Sequence, residues 1–174
     1  MAVMVKRLAN QKTRRETGLD YVVGAMNLLT PFGIKQIKDQ KPFLPGQEEL
    51  LRAELDRVQE LADITRANAR ETGVLQETFM MMKDNTFSIE RSGNAALSVV
   101  EIFELKSLLL LMDKVRQIAA AVALPEIFVP EDINGLLDTL DPGGDRLNTF
   151  YIYDSFSEKL EEFNNDKKNL VHDI

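Results

Sequence analysis

The residues able to do chemistry in this chain are few, and their types narrow the chemistry further. There is no Cys in the 174 residues, which removes thiolate nucleophiles, thiolate zinc sites and disulfide frameworks. There is one His, His172, two residues from the C-terminus. A Ser–His–Asp triad would rest on that tail residue alone, and a multi-histidine metal site is impossible. The acids Glu101/Glu104 and Glu158/Glu162 pair on one face of a helix at i, i+3 and i, i+4. Di-metal bundles use such carboxylates, but with a Glu-x-x-His on partner helices, which one histidine does not supply. These pairs therefore read as solvated or capping acids, and no catalytic, cofactor-binding or metal-binding residue is assigned. There is no G-x-x-x-x-G-K-[ST] phosphate loop and no G-x-G-x-x-G dinucleotide turn.

The remaining chemistry is electrostatic. The net charge is −7. Residues 1–125 hold 17 Lys/Arg against 16 Asp/Glu, and residues 126–174 hold 4 against 12, so the two stretches balance at +1 and −8. Lys6, Arg7, Lys12, Arg14 and Arg15 form a short basic arm with no acid among the first fifteen residues. Such an arm is able to touch phosphate and gives five nucleic-acid candidates; the plainer reading is a solvated, frayed terminus. An acidic chain is poorly suited to gripping nucleic acid by itself.

The elements that must position these residues are helices. Leu19, Val22, Val23, Met26 and Leu29 form one helical stripe. Thr30-Pro31 starts the next helix, Thr as cap and Pro at the first helical position. Two prolines in Lys41–Gly46 break it. A long amphipathic helix is expected from Gln47 to about Arg70, with Leu51, Leu55, Val58 and Ala62 buried and Gly73 as its stop. Val74–Met82 reads as a short helix whose Phe79 and Met80–Met82 are expected in the core, and 84–94 as a polar turn region. Ser98-Val-Val-Glu101 is a capping box opening a helix over Val99 to about Ala121. Its Leu108–Met112 stretch is apolar all round and marks the central helix. A short helix opens at Pro130–Asp132 with Ile133, Leu136, Leu137 and Leu140 inward, and Asp141–Asp145 makes a tight turn. Phe150–Tyr153 is rich in strand formers, and Asp154, Ser155 or Ser157 caps a last helix. The fold expected is mainly α, a multi-helix bundle with one short β-hairpin or extended segment near 146–153. The domains expected are a basic N-terminal arm (1–17), a helical core (18–156) and the start of a lever-like helix (157–174). The longest unbroken apolar run, Leu108–Met112, is too short to cross a membrane, and no secretory signal follows Lys6-Arg7; a cytoplasmic protein is expected.

Three blocks, in order, resemble the helical core or lever-base region of the MutS family of DNA mismatch-repair ATPases. The first runs from Gly18–Asp20 through Thr30-Pro31-Phe32-Gly33 to Lys41–Gly46 and the Glu48–Arg70 helix. The second is Ser88–Ser92 with Leu97–Leu111. The third is Leu140–Gly144 through Phe150–Asp154 to Ser157-x-x-Leu160. Together they cover about residues 18–70 and 84–168. The resemblance implies a non-catalytic core module of a MutS-like protein, coupling an ATPase domain to a DNA clamp, neither of which lies in this chain. It implies ATP and Mg only for the parent protein, DNA as a partner through the parent, and a possible homodimer through the missing domains. No functional residue of the family carries over. Phe156-Ser157-Glu158 matches the letters of the family's Phe-x-Glu mismatch wedge but lies at a helix start after the expected hairpin, so chance and capping account for it. The competing expectations are a helical protein-interaction adaptor unrelated to DNA repair and a small carboxylate-only enzyme. The side chains expected to stiffen the module are Leu51, Leu55, Val58, Phe103, Leu105, Leu109 and Met112.

Overall fold

The computed structural model describes residues 11–39, 42–149 and 151–172. All regular structure among them is helical: nine α-helices and two 3-10 turns. The chain divides into two compact units, Met1–Met82 and Lys83–Ile174, and the division falls inside the 18–156 stretch expected as one core.

The first unit holds α1 (Gln11–Glu16), α2 (Leu19–Ala25), α3 (Pro31–Asp39), α4 (Glu48–Ala67) and α5 (Ala69–Met80). Gly18 separates α1 from α2 at φ 75°, a left-handed conformation that costs glycine little. α2 stops at Ala25, one turn before the expected Leu29, because Met26 turns to extended backbone. α3 begins as the Thr30-Pro31 dipeptide predicts: the Gly33 amide donates to Thr30 Oγ1 at 2.9 Å. The α4–α5 break falls at Asn68 and not at Gly73, which lies inside α5. The Asn68 side-chain amide donates to the Ile64 carbonyl at 2.9 Å while its backbone amide reaches the same oxygen at 3.0 Å. An asparagine thus satisfies the helix end that a glycine was expected to close.

The expected buried stripe of α4 is not buried. Leu51, Leu55 and Val58 are 38%, 58% and 55% exposed, so they do not stiffen a core. Its charges are placed favourably. Glu48 and Glu49 lie in its first turn, Arg66 in its last, and Arg57–Glu54 (3.2 Å) and Arg66–Asp63 (2.8 Å) pair one turn apart. Met80 and Met81 are also exposed, against the expectation of a methionine core, because α5 ends at Met80 and its buried residue is Thr78.

The second unit contains α6 (Thr86–Ser92), α7 (Val99–Ala121), α8 (Asn134–Leu140) and α9 (Glu158–His172). α6 replaces the turn region expected over 84–94. It starts because Asp84 Oδ1 accepts from the Thr86 amide at 3.0 Å, the arrangement of an Asx turn. α7 has the bounds that its capping box implies. The Glu101 amide donates to Ser98 Oγ (3.3 Å) and the Ser98 amide to Glu101 Oε2 (2.8 Å). Leu108 is buried, and Leu109, Leu110, Leu111 and Met112 are half-buried, so no member of the apolar run is exposed. Phe103 and Leu105 are half-buried too.

α8 lies antiparallel along α7. Asp132, just before it, reaches Arg116 at 2.6 Å, and Asp141, just after it, reaches Lys106 at 3.2 Å. Ile133 and Leu137 are buried as expected, but Leu136 is 60% exposed. Asp132, not Pro130, fixes the start of α8 by accepting from the Asn134 amide at 3.0 Å. The described residues between 141 and 153 are irregular and form a strap with no hairpin ladder. Phe150 lies outside the described residues. A 3-10 turn over Asp154–Phe156 then leads into α9, where the Leu160 and Glu161 amides donate to the Ser157 carbonyl.

Candidate functional site

Of the basic arm, Lys6 and Arg7 lie outside the described residues. Lys12, Arg14 and Arg15 lie on α1. Arg14 is clasped by Asp20 at 2.8 Å and Lys12 pairs loosely with Glu16 at 3.7 Å. Arg15 is exposed and joins Gln11, Lys12 and Glu16 around a shallow open depression. The three described cations therefore share one short helix, but acids answer two of them.

The carboxylate pairs are structural where their partners are described. Glu101 closes the capping box and also accepts from Arg91 at 3.2 Å. Glu104 pairs with Lys83 at 3.0 Å. Ser98's hydroxyl, then its amide, hold the Glu101 carboxyl below the ordinary value, with Arg91 adding a smaller pull. No group of three or more acidic or histidine side chains among the described residues is placed to hold a metal ion. His172 ends α9.

The most enclosed polar cluster was not foreseen from sequence. It is built on Lys106, the single charge between Leu105 and Met112. Lys106 sits two residues from Leu108, about 160° round the helix. α7 thus buries a hydrophobic residue on one side and a cation on the other. The Lys106 side chain is 1% exposed as a residue, and so is Asp141. Their charged atoms lie 3.2 Å apart. Lys106 Nζ donates to the Thr149 carbonyl at 2.8 Å. Asp141 accepts from the Tyr153 hydroxyl on Oδ1 at 2.7 Å and from the Arg146 amide on Oδ2 at 2.7 Å. Beside this, Ser107 donates to Asn148 Oδ1 at 2.7 Å. The strap is thus bonded to α7 through Lys106 and Ser107.

The local sequence explains how the strap folds around one carboxylate. The Asp141 carbonyl accepts from the Gly144 amide at 2.9 Å, closing the D-P-G-G turn. Gly144 at φ 70° and Arg146 at φ 51° then wind the chain back so that the Arg146 amide meets the same residue's side chain. Gly143 leaves room for an aromatic ring: a Cβ there would lie 3.3 Å from Tyr153 Cε1. The signal available in sequence was Lys106 itself, because a lone cation in an apolar stretch must find an anion on folding.

Burial pushes the Asp141 carboxyl up, but donation from Tyr153, the Arg146 amide and Lys106 outweighs it and holds the group below 3.8. The same Asp141 bond, with burial and the nearby Asp145, pushes the Tyr153 hydroxyl up to about 12. Folding therefore favours the neutral tyrosine. Its contribution is complete below the ordinary tyrosine value of 10 and is lost as pH rises through about 12. In an alkaline titration followed by tyrosinate absorbance, one of the three tyrosines is expected to ionise only near pH 12. Tyr153→Phe should abolish that late phase, and its persistence would show that the hydroxyl is not on Asp141.

Comparison with protein-family models, with curated proteins and with solved structures finds no match. No helix among the described residues is long and apolar enough to cross a membrane.

Proposed function

We propose that this chain is a non-catalytic helical core module of a MutS-like DNA mismatch-repair protein. Its work is mechanical: a base that links the nucleotide state of an ATPase domain to a DNA clamp, both carried elsewhere in the parent. One observation carries the reading. The D-P-G turn and Tyr153, both in the third block of resemblance and the latter just ahead of its S-x-x-L helix start, are tied to the central helix through the buried Lys106–Asp141 pair. α9 therefore leaves from an anchored root, as a lever must. ATP and Mg belong to the parent's ATPase domain, because this sequence has no phosphate-cradling loop to hold them. DNA is a partner of the parent protein, in the cytoplasm, and a homodimer would form through the parent's other domains.

A second reading, a helical protein-interaction adaptor, is favoured by the exposed stripe of α4. The reading frame beyond Ile174 separates the two. A G-x-x-x-x-G-K-[ST] loop a few hundred residues downstream supports the module, and a stop codon supports the adaptor.

DNA binding by the isolated chain is expected to be weak and blind to sequence. The basic arm offers few phosphate contacts, two of its described cations are already paired, and residues 126–174 carry −8. A gel-shift titration at physiological salt should show matched and mismatched duplexes binding equally poorly. Tight binding that prefers the mismatch would sink the mechanical reading.

A further inference from the structure

We infer that the exposed face of α9 pairs with the same face of a second copy of this chain, the two helices running antiparallel. The face is an apolar seam. Phe163 and Leu170 stand seven residues apart and are 70% and 68% exposed. Phe156, seven residues before Phe163 in the turn ahead of the helix, packs edge-on against Tyr153 and is still 42% exposed. A seven-residue repeat is the spacing at which one helix meets another along its length. Leu160, half-buried, and Lys167, exposed, hold the neighbouring position of the same repeat. Glu161 and Glu162 fall outside the seam in that repeat.

Charge selects the occupant and its direction. Lys159 and Asp166 share one flank of the seam, are both exposed and carry opposite signs. In an antiparallel pair this flank meets its own copy. With the two-fold axis at Phe163, Lys159 lies four residues to one side, and Asp166 of the second copy lies three residues to the same side. Their levels differ by one residue, about 1.5 Å along the helix. Symmetry repeats the pair, so the contact of Phe163 with its copy is bracketed by two Lys159–Asp166 pairs, the self-complementarity that a two-fold interface requires. Lys167 then lies along Leu160 of the second copy, with its stem on apolar surface and its ammonium in water. A parallel pair would instead set Lys167 against its own copy in the seam, at a cost in stability. The helix has 15 residues, so the contact is short and belongs with weak interfaces of less than about 1,200 Å². This inference goes beyond the MutS-like reading and does not rest on it.

The test is sedimentation velocity on the full chain from about 1 μM to 1 mM, the range in which a weak dimer forms. The wild type should pass from monomer to dimer as concentration rises. Lys159→Glu places two acid–acid contacts across the pair, and Asp166→Lys places two lysine–lysine contacts. Both positions are exposed, so circular dichroism should be unchanged in either variant. Each variant alone should self-associate about tenfold more weakly, or less. An equimolar mixture of the two restores both opposite-charge pairs and should dimerise as the wild type does. Phe163→Glu should leave the chain monomeric, alone or mixed. A wild type that stays monomeric throughout would overturn the inference and mean that another occupant covers the face. A mixture no tighter than its components, or a dimer that survives Phe163→Glu, would overturn it as well. Any of these failures leaves the MutS-like reading to the downstream reading frame.

Discussion

Asp141→Ala is expected to destabilise the second unit by about 3 kcal/mol, among the largest effects of any single polar substitution in the chain. The change does more than delete one ion pair. It leaves Lys106 enclosed beside Leu105 with only the Thr149 carbonyl for its ammonium, and it strips acceptors from the Tyr153 hydroxyl and the Arg146 amide. Breaking a buried pair by removing one partner costs roughly 3–5 kcal/mol. The lower end applies here. The surface of Asp141 is closed by its neighbours, yet few atoms lie in the wider shell around it, so nearby water still polarises about the pair. Lys106→Met combined with Asp141→Leu should recover much of the loss, because two apolar groups in place of both charges leave no orphaned ion. Amide hydrogen exchange along α7 reads this unit directly. Protection in the single variant that matches wild type would mean the pair is solvated and contributes nothing.

The same residue dictates a pH dependence. A carboxyl held below 3.8 in the folded chain contributes stability that is present above 3.8 and lost as pH falls through the folded value. Wild type and Asp141→Ala should therefore differ most near neutrality and converge in acid. Asp132 adds to the acid loss in the wild type, because the Asn134 amide, then Arg116, lower its carboxyl in the same way.

What was legible in the sequence were features whose cause is local. The Ser98–Glu101 box, Thr30 ahead of Pro31 and the turn at Asp141–Gly144 are each specified by residues three or four apart, and each is present with the bonds that define it. Asn68 was missed because its side chain ends a helix by a route that an amphipathic count does not register. Leu51, Leu55 and Val58 were misplaced for a different reason. Periodicity identifies a face capable of burial, not the element that would cover it. The Lys106 network was missed because its members are 35 and 47 residues distant in sequence, at Asp141 and Tyr153, and only the packing of α8 along α7 brings them together. The lone lysine announced that a partner had to exist without saying which of the many acids it was.

That distinction between a face and its cover has a direct consequence for two leucines of the same type on two helices. Leu137 on α8 is fully enclosed, and Leu55 on α4 is 58% exposed. Leu137→Ala removes buried methyl groups from a site whose neighbours are fixed by the α7–α8 ion pairs at either end, so the cavity has little room to collapse. The expected cost is about 2–5 kcal/mol, a large share of the roughly 5–15 kcal/mol that holds a domain folded. Leu55→Ala removes the same atoms from solvent and replaces leucine with the best helix former, so the change should stay within about 0.5 kcal/mol. Leu109, half-buried on α7, should fall between them. Urea unfolding of the three variants followed by circular dichroism, with hydrogen exchange assigning each loss to its helix, ranks them. A Leu55→Ala variant as damaging as Leu137→Ala would mean that the α4 stripe is covered in solution. The first unit would then owe part of its stability to packing on that stripe.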